Sequence, residues 1–101
     1  MVIAANGGKI KPDSILKRRQ EQIFSEIDGE VVMLSLENSE YYGMDKVGSR
    51  IWQLLENPVS LREIIEALLE EYDVTEGQCA DDTIKFVEQL ADKNLIEITG
   101  S

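Results

Sequence analysis

The spacing of apolar residues predicts a change from strands to helices near residue 45. From residue 30 to 36 the apolar side chains alternate at the two-residue period of a sheet, and Glu37-Asn38-Ser39 is a polar, turn-forming break. A short strand follows at residues 40–44. An earlier strand at residues 22–27 is joined to strand 30–36 by Asp28-Gly29, a strong hairpin sequence. The pattern predicts a three-stranded antiparallel meander whose last strand lies at an edge.

Three helices are predicted for the second half of the chain. The first runs from its cap Asp45 to about Glu56 and stops before Pro58, because proline cannot continue a helix. Ser60 and Glu63 match the capping box that opens the second helix. The third begins at Glu76 or Gln78, with Thr75 as a cap, and ends at Lys93. Its predicted buried stripe is Ala80, Thr83, Ile84, Val87, Leu90 and Ala91.

This inventory predicts an α+β domain of the winged helix-turn-helix type, with a three-stranded antiparallel sheet followed by three helices. Residues 1–20 are expected to form a weakly structured N-terminal arm, and residues 21–98 the folded domain. Residues 95–98 continue as a short extended tail. Within the arm, Lys17-Arg18-Arg19 is interpreted as a solvated basic run, with a docking point for acidic helices or an acidic partner as the alternative.

The charge distribution argues against a nucleic-acid ligand. The 101 residues carry a net charge of −10, with seven Lys or Arg and eight Asp or Glu in residues 1–50 but three and twelve in residues 51–101. A phosphate backbone is bound by lysine and arginine, which displace its counterions. The acidic helical half therefore disfavours DNA or RNA, although many winged-helix folds bind DNA.

Catalytic residues are scarce. The chain has no histidine, the commonest general base and zinc ligand, and its one cysteine, Cys79, has neither a CxxC partner nor a histidine to activate it. We therefore expect no enzymatic activity, no cofactor and no metal. The start of the chain lacks the features of a signal peptide and no apolar run is long enough to span a bilayer, so we expect a cytoplasmic protein.

Residues 29–57, GEVVMLSLENSEYYGMDKVGSRIWQLLEN, resemble the PqqD-like family. The resemblance lies in the aromatic pair before Gly43, in Asp45, in Val47-Gly48 and in Ile51-Trp52. It continues through the helix opened by Val59-Ser60 and the terminal segments FVEQL and NLI, and covers about residues 21–98. Members of this family are small winged-helix recognition elements for ribosomally synthesised, post-translationally modified peptides (RiPPs).

The resemblance implies a binding module that captures the leader of a precursor peptide. In the family the leader adds as a further strand to the third strand of the sheet and lies against the third helix. Carried onto this sequence, the implied peptide-binding residues are Glu40, Tyr41, Tyr42, Gly43, Asp82, Lys85, Phe86, Gln89 and Lys93. The predicted edge strand suits strand addition. A core role remains the alternative for Phe86, Tyr41 and Tyr42.

Among family branches, the chain looks most like the freestanding leader-binding proteins of lasso-peptide biosynthesis. That likeness implies two partners, a cysteine protease that removes the leader and a cyclase that closes the ring. One alternative is a PqqD-type chaperone for a radical SAM enzyme. Two others are a winged-helix transcription regulator and a subunit that dimerises through its edge strand; the favoured state is a monomer.

Overall fold

The structure is a computed structural model that describes residues 10–19, 23–35 and 39–99. Within these ranges the chain forms helices and antiparallel strands, which confirms the α+β prediction. In chain order the elements are β1 (Ile15–Arg18), β2 (Ile23–Ile27), β3 (Glu30–Ser35), β4 (Glu40–Gly43), α1 (Lys46–Leu54), β5 (Val59–Ser60), α2 (Leu61–Glu71), α3 (Glu76–Asp92) and β6 (Ile96–Thr99).

The predicted meander is present as a sheet with the strand order β2-β3-β4, which we call the hairpin sheet. Its first turn is the two-residue Asp28-Gly29 loop, with φ of 53° and 82°. Both residues are left-handed, as the tight turns that match strand twist require. The predicted ends at Gln22 and Leu36, and most of the turn at residues 37–39, lie outside the described residues.

The predicted helix caps are confirmed. Asp45 accepts a hydrogen bond from the backbone N–H of Gly48 at the start of α1, and Thr75 accepts one from Gln78 at the start of α3. Ser60 and Glu63 form the complete capping box of α2. Each cap satisfies a backbone donor that the first helical turn leaves without a partner. The helix of α1 ends at Leu54, two residues before the predicted Glu56.

A second sheet was not predicted. Strand β1 lies in the arm that the sequence analysis described as weakly structured, and it pairs with β5 on one side and β6 on the other. The peptide groups of Leu61 and Arg62 bond back to Ser14 and Pro12, which joins the arm to the start of α2. The domain boundary between residues 20 and 21 stays a prediction.

Arg18 shows why the arm folds onto the domain. Its guanidinium carbon lies 4.8 Å from the ring centre of Phe24 and 5.3 Å from that of Trp52, and Nη1 donates to the Trp52 carbonyl at 3.2 Å. Cations over aromatic faces are attracted by the ring quadrupole. The interpretation of residues 17–19 as a solvated run is therefore wrong, and all three side chains are half-buried.

One core holds the two sheets and the helices together. Trp52 of α1 is fully buried and meets the ring of Phe24 edge-on at 5.9 Å. Burying a large apolar side chain of this kind contributes ~1.5–3 kcal/mol. Other fully buried side chains come from every layer: Ile10, Leu16, Val31, Met33, Leu55, Leu61, Ile64, Leu68, Val87 and Leu95.

The hairpin sheet buries only one of its two faces. Phe24, Met33 and Tyr42 are paired in one row across the three strands and point towards the helices. The next row along, Ile23, Leu34 and Tyr41, points the other way, and Tyr41 is 76% exposed. We call this side, which also carries Ile27 and Val32, the outer face. Among the described helices, none is long and apolar enough to cross a bilayer.

Candidate functional site

Strand β4 is an edge of the hairpin sheet among the described residues. It pairs with β3 along one side, in the register Met33↔Tyr42 and Val32↔Gly43, and no described strand pairs with its other side. The N–H and C=O groups on that side face away from the sheet. An edge of this kind is the usual platform for an added peptide strand.

Helix α3 contacts both β4 and the first turn of α1. Near its C-terminal end, the Nζ atom of Lys93 lies 5.0 Å from the ring centre of Tyr42. Seven residues earlier, the half-buried ring of Phe86 lies against Gly48, just past the other end of β4. Tyr42 is therefore the point where β4 meets α3, and Phe86 is the point where α3 meets the start of α1.

A groove of about 330 Å³ opens at the Phe86 end. Its lining comes from α1, the end of α2, the α2–α3 link and α3. The residues are Asp45, Val47, Gly48, Ile51, Leu68, Tyr72, Val74, Gln78, Cys79, Asp82, Thr83 and Phe86. The lining is mostly apolar, and Val47 and Val74 are exposed by 40% and 46%. A concave apolar surface with a few polar groups is typical of a ligand site.

Gly48 allows the groove to form where α1 meets α3. A β-carbon at residue 48 would stand 3.2 Å from Cε1 and Cζ of Phe86 and 3.3 Å from Oδ1 of Asp45. Such separations are closer than ordinary van der Waals contact. The missing side chain thus lets the Phe86 ring lie directly on the first turn of α1.

An ion pair behind the groove fixes α1 to the end of α2. Arg50 donates from Nε and Nη2 to the carboxylate of Glu71, with distances of 2.8–3.1 Å. The hydrogen bond from Arg50 holds the pKa of the Glu71 carboxyl below its ordinary value. The same bond raises the pKa of Arg50. This two-pronged geometry is the strong form of an arginine–carboxylate pair.

The predicted site residues fall into two groups. Asp82, Phe86, Gln89 and Lys93 recur at helical spacing on α3; Lys93 lies over Tyr42 of β4, and Asp82 and Phe86 line the groove. Glu40 and Gly43 supply backbone at the two ends of β4.

Two predicted residues lie elsewhere. Tyr41 is on the outer face, and Lys85 is paired with Asp81 at 3.2 Å. The alternative of a core role for Tyr41 is wrong, whereas Tyr42 and Phe86 both pack against the core while remaining half-buried.

The sequence analysis missed the wall that α1 contributes. Asp45, Val47 and Gly48 were noted only for their family likeness, and no binding role was predicted for Val47. The structure leaves it exposed because the first turn of α1 borders the groove. The described residues bring together no group of three or more Asp, Glu or Cys side chains that could hold a metal ion.

Comparison with known proteins places this arrangement in a family. The family model of coenzyme PQQ synthesis protein D (PqqD) matches residues 30–96, which is most of the chain. The chain belongs to the PqqD family. This PqqD-family chain is 39% identical to TbiB1, whose structure in complex with the TbiA(beta) leader peptide superposes with a TM-score of 0.74. The match covers 84% of this chain and 99% of TbiB1.

Two more distant structures share the fold of this PqqD-family chain. A lasso peptide synthetase B1 complexed with its leader peptide is 22% identical and has a TM-score of 0.70, covering 81% of this chain and 96% of that one. The PqqD truncation of Methylobacterium extorquens PqqCD, a stand-alone RiPP recognition element, is 16% identical with a TM-score of 0.70, covering 87% and 94%. No curated protein matches the chain significantly.

Proposed function

We propose that this protein captures the leader of a ribosomally made precursor peptide, which adds as a strand to β4 and lies against α3. The observation that carries the proposal is the side of β4 with which no described strand pairs, beside the Phe86 groove. Membership of the PqqD family and the 39% identity to TbiB1, which was solved with a leader peptide, support it. The module itself is non-catalytic and acts in the cytoplasm, where the precursor is translated.

The two parts of the site have different roles. Backbone hydrogen bonds to Glu40–Gly43 set the register of the leader, whatever its side chains. Side chains on the inner side of the added strand pack along Tyr42, Phe86, Gln89 and Lys93, and one apolar side chain enters the groove. Apolar burial favours binding by about 25 cal/mol per Å², and the entropy cost of ordering the leader offsets part of this gain.

We test this by calorimetric titration with two probes: the TbiA(beta) leader and the leader of the precursor encoded nearest this gene. We expect a Kd in the sub-micromolar to micromolar range for at least one of them. Phe86→Ala and Tyr42→Ala should each weaken binding at least tenfold, or ~1.4 kcal/mol. Ile27→Ala is the matched control, because Ile27 is exposed on the outer face of β2, two strands away from the β4 edge.

Strand addition itself is tested without changing the protein. Leader peptides N-methylated at alternate residues lose the backbone donors that would pair with β4, while their side chains remain. We expect one alternating set to lose binding and the other to retain it. Uniform tolerance of N-methylation would contradict strand addition. Absence of leader binding together with salt-sensitive binding to duplex DNA would instead support a winged-helix regulator.

We further propose that the bound leader is presented to a leader protease and a cyclase of a lasso-peptide pathway, which dock on the outer face. This face carries Ile23, Ile27, Val32 and Tyr41, all exposed. It is continuous with the β4 edge, so an added strand would place alternate side chains beside Tyr41. A partner enzyme bound to the outer face therefore contacts both this protein and the bound leader.

Docking is tested by cleavage of the precursor by the leader protease encoded with this protein. Ile27→Ser and Ile23→Ser, both on β2, should slow cleavage several-fold while leader affinity is unchanged. Val74→Ser, in the groove, should weaken leader affinity and slow cleavage only at precursor concentrations that leave the site unsaturated. Equal effects of all three substitutions on cleavage and affinity would contradict a separate docking face.

A further inference from the structure

The space between β4 and α3 differs in charge at its two ends. Lys93 lies over Tyr42 at one end, whereas Asp45 and Asp82 border the groove at the Phe86 end. Lys93 lies beside Tyr42 within β4, whereas Asp45, two residues after Gly43, places the carboxylates beyond the C-terminal end of the strand. A peptide seated along β4 therefore experiences different charges at its two ends.

The two carboxylates at the groove are fixed in place by neutral donors. The side-chain amide of Gln78 donates to Asp82, at 3.0 Å from each carboxylate oxygen, and the backbone N–H of Gly48 donates to Asp45 at 2.8 Å. Among the described residues neither carboxylate forms an ion pair with a lysine or arginine. Asp81, the neighbour of Asp82 in sequence, is paired with Lys85.

We infer that the peptide segment entering the groove carries a lysine or arginine next to its apolar anchor. This inference rests on the proposed function and names the class of peptide that the site selects. The apolar side chain packs on Val47, Ile51 and Phe86, and the adjacent cation reaches Asp45 and Asp82 at the rim. A fixed carboxylate needs no reordering to receive the cation.

The same charges reject the wrong partner and the wrong direction. An acidic residue at this position would stand beside two carboxylates, a juxtaposition that costs affinity. A peptide bound in reverse would carry its cation away from both carboxylates. When the peptide strand adds antiparallel to β4, its N-terminal end lies beside the C-terminal end of β4. The cation of the peptide is therefore near its N-terminal end.

The experiment is selection of a display library of random 15-residue peptides on the full chain and on two variants. On the wild type we expect enriched peptides to share an apolar residue flanked by lysine or arginine. On Asp82→Lys, this flanking position should change to aspartate or glutamate. Asp81→Lys changes the net charge equally but lies outside the groove lining, so its enriched peptides should match those of the wild type.

The peptide that binds the wild type most tightly is then used to measure the interaction between its flanking cation and Asp82. Changing its flanking cation to glutamate should weaken binding to the wild type about three- to tenfold, and Asp82→Lys should restore the loss. Thermal melting of each variant verifies that it folds. Enriched peptides with no flanking cation, or an Asp81→Lys variant that changes the selection as Asp82→Lys does, would overturn the inference while leader capture stands. No enrichment on any of the three proteins would count against leader capture itself.

Discussion

The ring of Phe86 lies on the backbone of Gly48, so close that a β-carbon at residue 48 would stand 3.2 Å from two ring carbons. This contact joins the first turn of α1 to the middle of α3. It also sets the position of the ring that forms one wall of the groove. This pair of residues should therefore affect both the stability of the fold and the affinity for a ligand, and substitutions there allow the two effects to be measured separately.

Gly48→Ala should weaken peptide binding with little change in stability. Alanine favours the helix by up to ~1 kcal/mol over glycine, while crowding against Phe86 opposes this gain. We expect the free energy of unfolding to change by less than about 1 kcal/mol. The displaced ring should reduce affinity for the leader several-fold. Denaturant unfolding and calorimetry measure the two effects, and unchanged affinity would show that the ring position is not critical.

Ser49→Ala should destabilise the fold. The buried Ser49 hydroxyl accepts from the N–H of Val31 at 2.7 Å and donates to the Met44 carbonyl at 3.2 Å, which links the hairpin sheet to α1. Alanine leaves a buried donor without a partner, at a cost of ~1–3 kcal/mol. The control is Ser25→Ala on the exposed side of β2, where we expect a change below about 0.5 kcal/mol. Equal losses would contradict the role of this hydroxyl.

Arg18→Met should loosen the attachment of the arm. It removes the cation over Phe24 and Trp52 and the bond to the Trp52 carbonyl, at a cost of about 1–2 kcal/mol. Trp52 is the only tryptophan in the chain, so its fluorescence reports the change directly. Lys17→Met loses the same charge without this contact and serves as the control. An unshifted emission spectrum in Arg18→Met would argue against the packing described.

Glu71→Gln should destabilise the protein at neutral pH but not in acid. The folded-state pKa of Glu71 is lowered, so its contribution is present above the unfolded pKa, about 4.3, and is lost as pH falls through the folded value. Both side chains are about one-third exposed, which limits the pair to roughly 0.5–1 kcal/mol.

The free energies of unfolding of Glu71→Gln and wild type should therefore differ at pH 7 and converge as the pH falls from about 4.3 through the lower folded pKa of Glu71. The control is Glu70→Gln, because Glu70 is the preceding residue in the chain and forms no ion pair among the described residues. A difference that persists unchanged at low pH would show that the glutamine acts through packing rather than through lost charge.

Local patterns determined most of the elements. The Asp28-Gly29 turn, the three helix caps and the alternating strands at residues 23–35 depend on neighbours a few residues apart, so the sequence predicts them. The same holds for the edge position of β4, because a meander of three strands leaves its last strand unpaired on one side.

The missed features all depend on residues far apart in the chain. Strand β1 carries no clear alternation, and it forms because β5 and β6 supply backbone partners from residues 59–60 and 96–99. Tyr41 and Tyr42 look equivalent in sequence, but the register with β3 sends one to the outer face and the other towards Lys93.

The sequence by itself determined the class of fold, the helix caps, the family likeness and which strand forms the edge of the hairpin sheet. Only the tertiary structure decided which side chains form the groove. Asp45 and Gly48 meet Asp82 and Phe86 there although more than 30 residues separate the two pairs along the chain. The physical reason is that turns and caps follow short-range hydrogen bonding, whereas a groove arises from the packing of distant elements around one core.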